Sequence, residues 1–227
     1  MSASPSQIAD NIRVIQSKIE RAAAGCNRDP SEIMLIAASK GASPEQINAA
    51  IHAGVTNIGE NRVQELLSKY PYIIGATWHF IGRLQTNKVK YIIDKVDLIH
   101  SVCSTKLAEE INKQAGKIKK IQKILIQINF FEEKSKNGIL ADDFYAFAEN
   151  LSKMPNIKVC GIMLMAPRHV VTKLLQKCNN FVIDIRAKKW FNISMGVISF
   201  GMSGDFEQAI GYGSTAVRIG NDIFNTN

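Results

Sequence analysis

Eight short apolar runs, alternating with segments of helical periodicity, constrain this chain more than any other feature. The runs cover residues 33–39, 55–58, 77–81, 97–100, 121–129, 157–163, 193–200 and 216–219. Each is too short for a helix and suits a strand buried on both faces. The segments between them place apolar residues on one helical face, as in Leu107, Ala108 and Ile111 before Gly116, and in Phe144, Phe147, Ala148 and Leu151. Strand followed by helix, repeated, implies a parallel sheet with right-handed crossovers. Eight such units predict an α/β fold of the (β/α)8 TIM-barrel type. The 227 residues are near the short end for that fold. An open doubly wound sheet is the alternative. No repeat, low-complexity segment or linker divides the chain, so a single domain over residues 1–227 is expected.

An extra helix precedes the first strand, over about residues 5–25. Ser4 is placed to cap it, Pro5 suits the first helical position and Gln7 completes a capping box. Ile8, Ile12, Ile15 and Ile19 share one face, and Gly25 marks the stop. Ser43-Pro44-Glu45-Gln46 repeats the same start signal for a helix ending near Gly54.

Composition narrows the function classes. Apolar residues make up 46% and charged residues 21%, which is globular and argues against disorder. No apolar run reaches the roughly 18 residues of a membrane span, and the start, MSASPSQIAD, has no secretory pattern. Cys26, Cys103, Cys160 and Cys178 are scattered without a CxxC pair, which fits reduced thiols in a cytoplasmic protein. The net charge of +8 attracts anions, whether nucleic acid, anionic lipid or a phosphorylated small molecule. The densest basic stretch, KIKKIQK at 117–123, lacks the aromatic residues of a base-stacking surface and reads as a solvated turn entering a strand.

A barrel carries its site at the carboxyl ends of its strands. Lys40 directly follows the first. Burial there would favour the neutral amine needed for Schiff-base chemistry; the alternative is a lysine snorkelling to the rim. After strands 7 and 8 come GMSGD (201–205) and RIGN (218–221), small-residue turns opening onto helices. Barrels hold phosphate at such places, and Ser203 adds a hydroxyl. Arg218, at the end of strand 8, suits the same anion or a ring nitrogen. The alternative is two ordinary tight turns. A lysine and phosphate turns on one rim describe a pocket for pyridoxal 5′-phosphate.

Other motifs carry less. GYGSTA (211–216) matches a dinucleotide fingerprint but follows a helix rather than a strand. His52, His79, His100 and His169 have no ligand spacing, so no metal site is expected. There is no Walker loop and no GxSxG elbow.

Taken together and in order, the segments ASK (38–40), IGENRVQE (58–65), WHFIGRLQTNK (78–88), HSV (100–102), QINFFEEKSKNG (127–138), GIM (161–163), ISFGMSGDF (198–206) and GSTAVRIGNDIF (213–224) resemble the pyridoxal phosphate homeostasis protein family. The single domain of that family is similar to the amino-terminal barrel of alanine racemase. The resemblance implies that Lys40 carries pyridoxal phosphate as a Schiff base. It implies that Ser203, Gly204 and Gly220 contribute to the phosphate site, that Arg218 faces the pyridine nitrogen and that Asn61 lies beside the cofactor. Lys136 matches the family's lysine in a K-x-G segment, at the rim. Ala42, Cys103 and Phe200 depart from the family pattern, and ISMG (193–196) nearly copies ISFG (198–201), which leaves the register of strand 7 open.

The implied role is a carrier in vitamin B6 homeostasis, with pyridoxal phosphate as ligand and apo-enzymes as recipients. A monomer that binds neither nucleic acid nor membrane is expected. The rival is a pyridoxal phosphate-dependent amino-acid racemase. Racemisation needs proton donors on both faces of the cofactor. In alanine racemase a tyrosine from a second domain serves the opposite face, and the few residues after strand 8 are not expected to supply one. A nucleic-acid binder would rest on the charge alone.

Overall fold

Eight parallel strands close into a barrel in chain order, with β8 hydrogen-bonded back to β1. The computed structural model describes residues 2–130, 137–164, 172–187 and 192–226. The strands are β1 (Met34–Ala38), β2 (Asn57–Glu60), β3 (Thr77–Phe80), β4 (Leu98–Val102), β5 (Gln122–Ile128), β6 (Ile157–Leu164), β7 (Ile193–Ser199) and β8 (Ala216–Ile219). Helix α1 (Pro5–Ala24) precedes β1. A helix then follows every strand: α2 (Pro44–His52), α3 (Val63–Lys69), α4 (Val89–Ile92), α5 (Thr105–Lys117), α6 (Phe144–Ser152), α7 (Thr172–Ala187), α8 (Phe206–Gly211) and α9 (Asn221–Phe224). The (β/α)8 barrel and its extra leading helix are therefore observed, and the open sheet is not.

The local signals explain the elements. Ser4 and Gln7 form the reciprocal capping box of α1, and Ser43 and Gln46 form that of α2. The face Ile8, Ile12, Ile15 and Ile19 is buried, and α1 packs on α2, α8 and α9. Asn11 Nδ2 donates to the Ile223 carbonyl at 3.1 Å, and the Ala3 N–H donates to the Phe224 carbonyl at 2.9 Å. The leading helix thus holds the end of α9 in place beside the β1–β8 seam.

Strand residues alternate between two buried layers. Ile99, Ile124, Ile126, Ile162, Ile198, Val217 and Ile219 face the helices. Leu98, Leu125 and Met163 form a separate cluster, with Cys160 and Val197 against it, inside the barrel. At Gly161 a Cβ would collide with the Val197 carbonyl across β6 and β7, so only glycine fits this register irregularity.

Two strands depart from their expected bounds by two residues, and one of them is β4, which runs Leu98–Val102 rather than 97–100. The second strand lies at Asn57–Glu60 rather than 55–58. Val55 instead closes α2, its N–H donating to Ala50 O. Gly59 and Glu60 do not look like strand residues, yet each is locally required. A Cβ on Gly59 would come within 2.9 Å of both Ile36 and Ile81, and the buried Glu60 has a charged partner on α3. The strand-7 ambiguity resolves as one continuous strand: ISMG begins β7, and the second copy carries it to Ser199, paired with Ala216. The basic stretch 117–123 is a mostly exposed turn that enters β5 at Gln122, as expected, with Lys120 Nζ donating to Ile93 O and Val96 O and Lys123 paired with Asp97 at the surface. Among the described residues no helix is long and apolar enough to cross a membrane.

Candidate functional site

The ends of β1, β2, β7 and β8 surround a cavity of about 320 Å³ at the carboxyl face of the barrel. Lys40, Asn61, Ser203, Gly204, Arg218 and Gly220 all line it. The structure therefore brings together every residue that the sequence singled out within its described part. Lys136 lies outside the described residues. A larger cavity of about 660 Å³ sits at the opposite end, against Glu32, Met34, Asn57, Gly196 and Thr215. Among the described residues no lysine lines it, and barrel enzymes carry their sites at the other face.

Lys40 follows β1 and is exposed at the cavity rather than buried at the strand end. Its backbone is held on both sides by a charged cluster from β2 and α3. Ser39 Oγ donates to Glu60 Oε1 at 2.8 Å, Lys69 Nζ donates to the Ser39 carbonyl at 2.8 Å, and the Gly41 N–H donates to Glu65 Oε2 at 3.2 Å. Lys69 bridges Glu60 and Glu65, and Glu60 is fully buried. Burial pushes the Glu65 carboxyl up, but the Gly41 N–H, Lys69 and Arg62 outweigh it and hold the group below its ordinary range. The second oxygen of Glu60 accepts from the Asn61 N–H at 3.0 Å, so one carboxylate orients both Lys40 and Asn61.

On the other side the turn after β7 is closed by Asp205, whose Oδ1 accepts from the Met202 N–H at 2.6 Å. Ser203 and Gly204 stand at its tip. Gly220 begins α9, and a Cβ there would lie 2.9 Å from the Ala38 carbonyl. Glycine lets the end of β8 approach the end of β1 closely, which places this turn beside Lys40. GYGSTA is a structural turn, in which Ser214 Oγ bonds to the carbonyls of Ile198 and Phe200.

Arg218 lies between these turns and is buried. Its guanidinium donates to Ser199 O at 2.9 Å, to Ser199 Oγ at 2.6 Å and to Leu164 O at 3.5 Å. Burial lowers its pKa to about 10, with Asp205 opposing, so it stays charged at neutral pH. From Ser199 a polar chain crosses the barrel interior. His100 Nδ1 is 3.2 Å from Ser199 Oγ, His100 Nε2 is 3.0 Å from His79 Nδ1, and His79 Nε2 is 3.2 Å from Asn57 Oδ1. Burial pushes His79 down to about 4, with Asp97 opposing and Lys123 assisting. Burial first, then His79 and Arg218, pushes His100 well below its ordinary value. Both rings are therefore neutral. With Asn57 Oδ1 as terminal acceptor, each donor is then determined. His79 Nε2–H donates to Asn57, His100 Nε2–H to His79, and Ser199 O–H to His100, leaving the Ser199 oxygen to accept from Arg218.

Glu60, Glu65, Lys69, Ser199, His100 and His79 were not expected at the site. His79, His100 and Ser199 find one another only across 21 and 99 residues of sequence, and Glu60, Glu65 and Lys69, though closer, carry no motif that marks them as a buried cluster. No cluster of potential metal ligands occurs among the described residues. The arrangement suits a phosphorylated aromatic aldehyde. Lys40 offers an amine, Ser203 and the two glycine turns offer uncharged donors and space, and Arg218 offers a fixed cation.

The barrel and this mouth define a protein of the alanine racemase amino-terminal type. The sequence pattern described as "Alanine racemase, N-terminal domain" matches residues 4–227. More narrowly, the chain belongs to the pyridoxal phosphate homeostasis protein family. It is 38% identical over 218 residues to the protein of that name from Aquifex aeolicus, covering 93% of this chain and 94% of the relative. It is 34% identical over 223 residues to the Escherichia coli K12 protein of that name, covering 96% and 95%. Among solved structures, PipY of Synechococcus elongatus PCC7942 with PLP bound superposes with a TM-score of 0.84 at 28% identity, covering 96% of this chain and all of that one. Alanine racemase of Clostridium difficile shares the fold at 15% identity and a TM-score of 0.71, covering 94% of this chain and 56% of that one.

The buried imidazoles set a pH dependence. A histidine whose folded pKa is depressed binds its proton more readily when unfolded, so its contribution is complete above about 6.5 and is lost as pH falls toward about 4. For His79 that loss is about 3 kcal/mol. Urea unfolding at stepwise pH should show stability dropping between pH 6.5 and 4, and His79→Gln should flatten that fall. An equally steep fall in the variant would contradict the neutral chain.

Proposed function

We propose that this protein is an intracellular carrier of pyridoxal 5′-phosphate that holds the cofactor for delivery to apo-enzymes. One observation carries the reading: four separate strand ends converge on a single cavity lined by an amine, two small-residue turns and a buried guanidinium. In this reading Lys40 Nζ condenses with the aldehyde carbon, releasing water and leaving the cofactor as a lysine Schiff base. Ser203, Gly204 and Gly220 hold the phosphate, Arg218 faces the ring nitrogen, and Asn61 borders the ring. The relatives named for pyridoxal phosphate homeostasis and the PLP-bound PipY structure support the ligand.

Two features favour holding over turnover. When bound, the cofactor supplies an electron sink for amino-acid chemistry. Arg218 is a poor proton donor to the ring, because its guanidinium is charged and already donates to Ser199 and Leu164. Racemisation also needs positioned groups on opposite faces. Among the described residues lining the cavity, Lys40 is the one amine, and no carboxylate, imidazole, phenol or thiol joins it.

Two measurements test the assignment. Losing one hydrogen bond to a charged group costs about 1.5–3 kcal/mol, so Ser203→Ala should weaken pyridoxal phosphate binding roughly tenfold or more. Unphosphorylated pyridoxal should bind the variant and the native protein alike, whereas equal losses for both ligands would remove Ser203 from the phosphate site. In deuterated water, loaded protein given L-alanine and several other amino acids should exchange the α-proton no faster than free cofactor does. Exchange with inversion at about 1 per second or faster would replace the carrier with a racemase.

A further inference from the structure

The barrel mouth holds a second cavity that the carrier reading does not use. It lies on the β3–β5 side, has a volume of about 570 Å³, and is lined by Arg83, Thr86, Ser101, Cys103, Ser104 and Gln127 among others. Three features give it one electrostatic sign. Arg83, three residues beyond β3, is exposed and makes no ion pair among the described residues. Helix α5, thirteen residues long, starts in the cavity wall at Ser104 and Leu107, so the positive end of its dipole faces that space. No carboxylate lines the cavity among the described residues.

Ser101 is the independent sign of a ligand. It is 3% exposed, and its Oγ has no hydrogen-bond partner. A buried hydroxyl without a partner costs free energy that a bound acceptor would recover. Gln127 Nε2 is already engaged with the Asn137 carbonyl at 2.7 Å, which leaves the Arg83 fork as the charged donor of the cavity and the Ser101 hydroxyl as its buried, unpartnered one. A guanidinium presents parallel N–H groups that match the two oxygens of a carboxylate.

We propose that this second cavity binds a small carboxylate, with Arg83 as its charge partner and Ser101 as a buried donor. The site is separate from the Lys40 cavity, shares no lining residue with it, and stands whether or not the carrier reading does.

Cys103, half-buried in the cavity wall, serves as a reporter. Its thiolate displaces iodide from either iodoacetate, which is a carboxylate, or iodoacetamide, which is neutral. The ratio of the two rates cancels the thiol's own ionisation. Cys26, outside the cavity, corrects for the protein's overall positive charge. Peptide mass analysis should give a rate ratio at Cys103 roughly fivefold or more above that at Cys26. Arg83→Gln should bring it down to the Cys26 value, and acetate should suppress it in the native protein. Ser101→Ala, a change too small to disturb the fold, should lower it as well. Equal ratios at the two cysteines, or no alkylation of Cys103 by either reagent, would overturn the proposal. So would a raised ratio that survives Arg83→Gln, or suppression by inorganic phosphate at far lower concentration than acetate.

Discussion

The hydrogen bonds that join β8 to β1 bring the two ends of the sequence into one site. Ile36 pairs with Arg218 and Ala37 with Ile219. That register sets Lys40 at the end of β1 against Gly220 at the end of β8, across a gap that tolerates no Cβ at residue 220. Helix α1 holds the arrangement from outside through its contacts with α2, α8 and α9. A barrel closed with another register would retain every motif and lose their convergence.

Charge buried around the mouth then fixes what closure has gathered. Glu60 and Lys69 are both removed from water, and each compensates the other while gripping the backbone at Ser39 and Asn61. Breaking such a pair strands a charge and costs more than the intact pair contributes. Across the barrel, Arg218 is anchored by Ser199 and a chain of neutral imidazoles that ends at Asn57. The two networks hold the backbone on either side of Lys40 and the guanidinium of Arg218 from beneath.

Much of this was legible in the sequence, because barrel strands read as continuous apolar runs and caps have short local signatures. Ser4 with Gln7 and Ser43 with Gln46 announced α1 and α2. Position at the end of an apolar strand makes Lys40 and the turns at Ser203 and Gly220 candidates, whereas their roles, and Asn61 altogether, come only from the family resemblance. The apolar pattern places the second strand two residues early, because Gly59 and Glu60 are explained by Ile36 on β1, Ile81 just beyond β3 and Lys69 on α3 rather than by pattern. The polar chain was hidden for the same reason. His79 and His100 sit 21 residues apart and meet only when β3 and β4 align, and Ser199 joins from the far side of the barrel. Nothing in the sequence around Lys69 signals that its amine lies buried beneath β2 against Glu60 and the Ser39 carbonyl.

The central claim is that Lys40 holds the cofactor's aldehyde carbon. It is tested most directly on purified protein loaded with pyridoxal phosphate, by recording visible absorbance before and after borohydride and then mapping the adduct by peptide mass. The account predicts that borohydride abolishes the visible band and leaves a phosphopyridoxyl group on Lys40, with Lys69, whose amine is engaged by Ser39, Glu60 and Glu65, unmodified. Adducts confined to other lysines, with Lys40 free, would contradict it.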